Sequence, residues 1–365
     1  MKIGFFGGAF DPFHQEHKNV ILHAKEELGL DKVVVYPSAL PPHKTCVADF
    51  DVRYKMTVAG VSDLPFVVVD DVENRLEGKN PTVKVLPILL GKYRPTESYF
   101  LIGGDSIAHF SDWIEPQKIA RMTKMGVVPR EDRRKALLDS LDVIQQYGAD
   151  IVVLEYVGKK VSSSLIKAKI ETGERPEGVA DEVMRIVEEN GLYSEHKELL
   201  EKLRAEMKPG RYEHVKRTTY YAMKLNEQLG LPYEKVFTAA ILHDCAKHMK
   251  REMEGVPEAV VHQFVGAEVA KERYGVADEE ILSAIRYHAT GKPDMTTLEK
   301  LIFTADVLEE GRDFPGVENL REITEKNFEE GFRACVTSCL KKLYEEKKPI
   351  HPLTEECAMY YNNKK

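Results

Sequence analysis

The sequence predicts two domains of different class: an α/β domain built on a parallel sheet over residues 1–193, then an all-helical bundle over 210–365, with a linker helix at 194–209. Three observations carry this. Short apolar, β-rich runs alternate with amphipathic stretches in the first half, as strands and covering helices do in a parallel sheet. After Tyr193 only helical periodicity is found. Between them SEHKELLEKLRAEMK is a charged helix, closed by the turn pair Pro209-Gly210.

Taken in order, the strands of the first half are IGFF, KVVVYP, PFVVVDD, YFLIGG, MGVVP and DIVVLEY. QEHKNVILHAKEELG is the first intervening helix. In the second half YEHVKRTTYYAMKLNEQLG, YEKVFTAAILHDCAKHM, HQFVGAEVAKERYG, ADEEILSAIRYH and TLEKLIFTADVLEEG repeat apolar positions at helical spacing.

Composition narrows the function classes. With 365 residues, 43% hydrophobic and 31% charged, the chain can bury two cores, and no run approaches the ~20 apolar residues of a membrane helix. The apolar start MKIGFFGGAF is too short for a signal peptide. Five cysteines, odd in number and without a CxxC pair, fit a reduced, cytoplasmic compartment. A net charge of −8 argues against a polymeric nucleic-acid partner, whose phosphates require basic surface. Small phosphorylated ligands need only a local pocket of cations or metal. Whether the chain forms a homo-oligomer is left open.

The segment KIGFFGGAFDPFHQEHKNVI reads as strand, tight loop, helix. Gly7 and Gly8 let backbone approach a ligand, and the helix start offers free N–H groups to an anion. His14 and His17, three apart, share a face of the first turn, where imidazoles can stabilise charge in phosphoryl chemistry.

These residues, Gly7-Gly8-Ala9-Phe10-Asp11-Pro12-Phe13-His14-Gln15-Glu16-His17, resemble the signature of the nucleotidyltransferase superfamily, specifically bacterial nicotinate mononucleotide adenylyltransferases. PSALPPHK, IGGDSIAHFSDWIEP, VVPRED, VSSSLIK and PEGVADEVMRIVEENGLY match further family segments in order. The resemblance implies a Rossmann-like sheet and in-line adenylyl transfer from Mg²⁺-bound ATP to nicotinate mononucleotide, giving deamido-NAD and pyrophosphate. It implies catalytic roles for His14, His17 and Lys44. Nucleotide contacts would come from Gly7, Gly8, Phe10, Asp11, Gly104, Asp105 at a ribose, Trp113 stacked on the pyridine, Arg130, Ser162, Ser163 and Lys167. Three positions depart from the family. Glu16 replaces a glycine, so a carboxylate is expected to crowd the nucleotide and repel phosphate. Lys167 replaces an arginine and loses its planar fork. Around Asn80-Pro81-Thr82 only the threonine of the expected Ser-Tyr-Thr contacts remains.

In the helical half His214, His243-Asp244, His262, His288 and Asp306 sit within otherwise apolar faces. Each alone reads as a packed polar residue; as a set they call for compensation, because buried unpaired groups are costly. One or two per helix converge naturally inside a bundle. Six ligands on one ion would close it, whereas two ions bridged by Asp244 keep open positions for water and phosphate. Imidazoles with carboxylates suit iron or manganese. The order H…HD…H…H…D resembles the HD superfamily. HDCAKHM, VVHQFVGAEVA and YHATGKPDMTTLEKLIFTADVLEEGRDFPGVE are similar to bacterial HD proteins that hydrolyse diadenosine tetraphosphate symmetrically to two ADP. The resemblance implies His214, His243, Asp244, His262, His288 and Asp306 as ligands to two metal ions, Asp244 and Lys247 in the catalytic set, and Lys247 and Arg312 on the polyphosphate.

The expected function is therefore bifunctional. Two alternatives stay open at this point. The first half is a low-activity or nucleotide-sensing module or takes another mononucleotide, and the second half is a phosphodiesterase or nucleotidase of different specificity.

Overall fold

In a computed structural model the described residues are 1–41, 46–129, 137, 141, 144–159 and 161–363, with the side chains of Asp105 and Ala108 outside that set. Packing divides them into two units: Met1–Ser163 with Pro176–Tyr193, and Ser164–Arg175 with Ser194–Lys365.

The first unit is built on six strands: β1 (Lys2–Gly8), β2 (Lys32–Pro37), β3 (Val67–Val69), β4 (Glu97–Gly103), β5 (Lys124–Val128) and β6 (Ile151–Val153). Their order is β3-β2-β1-β4-β5-β6 and every pairing is parallel. The six expected strands are all present. Alternate residues supply two cores, one per face: Ile3, Phe5, Val34, Tyr36, Phe100 and Met125 on one side, Phe6, Val33, Val35, Tyr99 and Leu101 on the other. Helices α1 (Gln15–Glu27), α2 (Phe50–Gly60), α3 (Thr82–Tyr93), α4 (Gly104–Ala108) and α5 (Pro116–Met122) follow strands in chain order. The strand order reverses between β1 and β4, and such a reversal opens a crevice at the strands' carboxyl ends. Gly7-Gly8 and Gly103-Gly104 stand at those ends.

The helix α6 (Ser163–Glu171) begins in the first unit and runs into the second. The expected limit of 1–193 is thus crossed by residues 164–175, and the cause is local packing. Ala168 is fully buried in the helical core, and the Glu171 carboxylate accepts from the His196 backbone N–H at 3.0 Å. Helix α7 (Asp181–Glu189) returns to the first unit. The expected linker helix is α8 (Lys197–Glu206), whose Leu200 and Leu203 are buried in the second core.

The second unit continues with α9 (Pro209–Leu229), α10 (Tyr233–Leu242), α11 (Glu258–Tyr274), α12 (Glu279–Arg286), α13 (Thr297–Leu308), α14 (Val317–Lys326), α15 (Phe328–Glu345) and α16 (Pro352–Asn363). Among its described residues no strand occurs. Gly230 and Gly275, both at positive φ, end α9 and α11 as glycine commonly ends helices. Among the described residues no helix is long and apolar enough to cross a membrane.

Candidate functional sites

In the first unit the loop after β1 is held from below. Arg53 on α2, 1% exposed, donates to the carbonyls of Ala9 (2.8 Å), Ser38 (2.7 Å), Ala39 (3.2 Å) and Ala48 (3.0 Å). One guanidinium thereby ties the glycine loop to the chain leaving β2. Glu73 completes the lock by accepting from Ala39 N–H at 2.9 Å; its burial pushes its carboxyl up to about 7 against that bond. The glycines are needed for packing too. A Cβ on Gly7 would lie 2.7 Å from the Tyr36 ring, and one on Gly8 2.8 Å from the Phe10 ring.

His14 caps α1, and its ring stacks on His17 with centroids 3.7 Å apart. The His14 backbone N–H donates to His17 Nδ1 at 3.2 Å, so a neutral His17 carries its proton on Nε2. Phe10 and Phe13 wall His17 at 5.0 and 5.3 Å. Both are buried, and the Phe10 ring, 1% exposed, supports the imidazole. Asp11, expected with Phe10 at the nucleotide, is bonded within the unit. Its Oδ2 accepts from Val47 N–H, and its Oδ1 from Ala48 N–H and the Tyr193 hydroxyl, because a buried carboxylate takes the nearest donors.

Glu16, expected to crowd a nucleotide, is bonded within the unit. Its carboxylate, in a residue 8% exposed, accepts from Tyr156 Oη (2.7 Å), Lys159 N–H (3.0 Å) and Asn19 Nδ2 (3.1 Å). Trp113 is half-buried against Phe100 and Phe110 at 6.1 and 5.3 Å. Ser162 is buried, and Ser163 opens α6. Lys167, expected with them at the phosphates, belongs to the second unit, its ammonium 5.7 Å from the Tyr233 ring centroid. Asn80 donates to the carbonyls of Glu73 and Leu76. Lys44, Arg130 and the side chain of Asp105 lie outside the described residues.

In the second unit five segments bring the six candidate ligands together: His214 from α9, His243-Asp244 from the end of α10, His262 from α11, His288 just past α12 and Asp306 from α13. Two groups converge, His214–His243–Asp306 and His243–Asp244–His288, with ligand atoms within 4.8 Å of one another. The two oxygens of Asp244 face different imidazole pairs. Oδ1 is 3.2 Å from His262 Nε2 and 3.5 Å from His288 Nε2. Oδ2 is 3.8 Å from both His214 Nε2 and His243 Nε2. Asp306 Oδ1 lies 3.0 Å from His214 Nε2 and 3.8 Å from His243 Nε2.

Hydrogen bonds behind the ligands fix their tautomers. His243 Nδ1 donates to the Ala240 carbonyl at 2.6 Å and His288 Nδ1 to the Ile285 carbonyl at 2.8 Å. A carbonyl only accepts, so each neutral ring turns a bare Nε2 lone pair inward. Burial holds His243 neutral, down to about 4, with Asp244 opposing. Burial disfavours charge on Asp244, yet His243, His262 and His288 outweigh it and keep the carboxyl far below its ordinary range. His243 Nε2 lies 3.3 Å from His214 Nε2 and His288 Nε2 3.2 Å from His262 Nε2, with the carboxylates of Asp244 and Asp306 beside them. Such a donor set fits divalent cations. Gln263 anchors the loop after His288, accepting from Ala289 and Thr290 N–H and donating to Thr290 Oγ1.

The expected phosphate cations are close by. Arg312 donates to Asp306 Oδ1 (2.5 Å) and its backbone carbonyl (2.8 Å). Lys247 Nζ stands 3.1 Å from His262 Nδ1. Three further residues escaped the sequence reading. Arg211 bonds Asp244 Oδ2 at 2.7 Å. Glu309 holds His214 Nδ1 at 3.0 Å, and Arg217 holds Glu309 at 2.6 Å. The signal available for Glu309 was its place one turn beyond Asp306.

Comparison with known proteins follows the same division. A cytidylyltransferase-like family model matches residues 5–169, and an HD-domain model residues 211–311. A probable nicotinate-nucleotide adenylyltransferase of Dehalococcoides mccartyi (strain ATCC BAA-2266 / KCTC 15142 / 195) is 30% identical over 198 residues, 53% of this chain and 97% of that protein. One of Geotalea uraniireducens (strain Rf4) is 34% identical over 142 residues, 38% of this chain; there the chain covers 66% of the relative, and 61 and 65% of two similar ones. The symmetrical bis(5'-nucleosyl)-tetraphosphatase of Bacillus subtilis (strain 168) is 35% identical over 158 residues, 40% of this chain and 85% of that enzyme.

Proposed function

Because this chain belongs to the cytidylyltransferase-like family through a nicotinate mononucleotide adenylyltransferase-like first half, and to the HD family through its second, we propose that it is a bifunctional nucleotide enzyme. The first unit transfers an adenylyl group from ATP, held with Mg²⁺, to nicotinate mononucleotide. The second hydrolyses diadenosine tetraphosphate to two ADP.

The observation that carries the hydrolase is the division of Asp244 between two imidazole pairs. His214, His243, Asp244 Oδ2 and Asp306 would hold one ion, and His262, His288 and Asp244 Oδ1 the other, with iron or manganese suited to the set. Bound there, the ions would activate a water and neutralise phosphate oxygens. The protein's own part is orientation. Glu309, Ala240 and Ile285 fix three rings, while Arg312, Lys247 and Arg211 line the ligand set as hands for a polyphosphate.

For the transferase the supporting feature is the stacked His14–His17 pair at the carboxyl end of β1, beside the strand-order reversal. The mononucleotide phosphate attacks the α-phosphorus of ATP, and pyrophosphate leaves in line. Protein catalysis then consists of alignment and charge stabilisation by imidazoles and helix-start amides. The bonds of Glu16 to Tyr156, Lys159 and Asn19 support reading this unit as active rather than as an inert sensor.

The test is metal analysis of the purified chain together with two assays. One measures pyrophosphate released from ATP and nicotinate mononucleotide, with nicotinamide mononucleotide compared. The other offers diadenosine tetraphosphate, a cyclic dinucleotide and a deoxynucleoside triphosphate. Less than one equivalent of metal retained, or preferred cleavage of the last two substrates, would overturn the hydrolase assignment. Absence of pyrophosphate release would overturn the transferase assignment.

A further inference from the structure

Resting on the adenylyl-transfer reading of the first unit, we propose that Glu16 is a positioning residue: it fastens the chain that leads from β6 to Ser162 and Ser163 onto the first turn of α1, and so sets the grip on ATP. The position is the chain's chief departure from the family signature, and it lies between His14 and His17. The carboxylate is not aimed at open space. Oε1 accepts from Tyr156 Oη at 2.7 Å and from Lys159 N–H at 3.0 Å, and Oε2 from Asn19 at 3.1 Å.

Glu16 is one of three anchors along a single face of α1. His23, two turns on, stacks flat on the Tyr156 ring, with centroids 3.8 Å apart and planes 4° from parallel. Glu27, a further turn on, accepts from Tyr156 N–H at 3.0 Å and Glu155 N–H at 2.5 Å. Positions 16, 23 and 27 repeat at helical spacing, so one helix edge grips residues 155–159 continuously. The fit leaves little freedom. A Cβ on Gly158 would come 3.1 Å from Glu16 Oε1, and Gly158 N–H is already spent on the Pro129 carbonyl at 2.9 Å.

Four residues past Lys159 the chain reaches Ser163, which with Ser162 is the pair that the adenylyl-transfer reading puts at the phosphates of ATP. A glycine at position 16 would leave Lys159 N–H and Tyr156 Oη without this acceptor. The carboxylate therefore does for the loop what a catalytic contact does for a substrate, but at one remove.

The experiment compares the full chain with Glu16→Gly, Glu16→Gln and Tyr156→Phe, measuring kcat and KM for ATP and for nicotinate mononucleotide, with Tm alongside. Glu16→Gly is expected to raise KM for ATP about fivefold while KM for the mononucleotide holds within twofold. Tyr156→Phe should give a smaller shift of the same kind. Glu16→Gln should restore the native value, because its amide oxygen accepts both bonds to Oε1. A rise in both KM values together with a fall in Tm marks plain destabilisation and overturns the proposal. So does faster turnover in Glu16→Gly, which would make the carboxylate an obstacle. If the native chain releases no pyrophosphate, the transferase reading fails separately, and calorimetric binding of Mg²⁺-ATP becomes the readout. A fivefold weaker Kd in Glu16→Gly then supports the positioning role; equal Kd values, or no ATP binding by the native chain, overturn it.

Discussion

The two candidate sites are built on opposite plans. In the first unit, backbone makes the site and side chains hold backbone in place: Arg53 spends its guanidinium on four carbonyls, and Glu16 and Asp11 accept from main-chain N–H groups. In the second unit, side chains make the site and backbone holds side chains: the Ala240 and Ile285 carbonyls orient His243 and His288. Loops need many weak ties because they lack a ladder of their own. Packed helices need few, since their rotamers are already fixed by the core. A loop site should therefore degrade gradually when a tie is cut, and a helix site abruptly when a ligand is lost.

The sharpest way to break this contrast is His243→Ala. It should remove bound metal and lower diadenosine tetraphosphate cleavage roughly a thousandfold, with pyrophosphate release by the first unit unchanged. Equal metal content in variant and native chain would defeat the two-ion arrangement. Next in size, His14→Ala or His17→Ala should lower pyrophosphate release on the order of a hundredfold and leave hydrolysis intact. Loss of both activities in either variant would show that the sites are not independent.

Stability probes the ties themselves. Arg53→Ala leaves four carbonyls, that of Ala48 buried, without their donor and should destabilise the first unit by about 3 kcal/mol, read as an earlier urea transition in that unit. An unchanged transition would mean that the loop holds without it. The smallest effect concerns pH. In the second unit, burial disfavours charge on His196, but Glu171 at 2.7 Å and Glu234 at 3.2 Å outweigh it and push His196 up to about 9. Folding thus raises its affinity for a proton above the ordinary 6.5, so the stabilisation is complete below that value and fades as pH climbs through 9. The pair is worth on the order of 2 kcal/mol, and Glu171→Gln should flatten this slope between about pH 6 and 10. Parallel slopes in variant and native chain would assign the dependence elsewhere.

How much could be read beforehand differs between the plans as well. The six strands were legible because each is a short apolar run bounded by turn residues, as expected of strands buried on both faces of a parallel sheet. The convergence of the six candidate ligands was legible as a set, since His and Asp in apolar helical faces demand a common explanation. The packing of Phe10 on His17 and the bonds of Asp11 to Val47 and Ala48 N–H were not legible, because a motif preserves residue identity without saying which way a side chain turns. Residues 164–175 were placed by their similarity to the first half, while their apolar contacts draw them into the helical core.

The sequence by itself determined element order, strand identity, the strand–loop–helix start of the chain and a set of His and Asp residues in apolar helical faces, because all of these rest on local periodicity and residue chemistry. Only the tertiary structure decided which oxygen of Asp244 faces which imidazoles, that Glu309 backs His214, and that Glu16 is bonded to Tyr156 and Lys159. The reason is distance along the chain. Glu16 meets its partners 140 and 143 residues away, and no local pattern records where a buried carboxylate will find its donors.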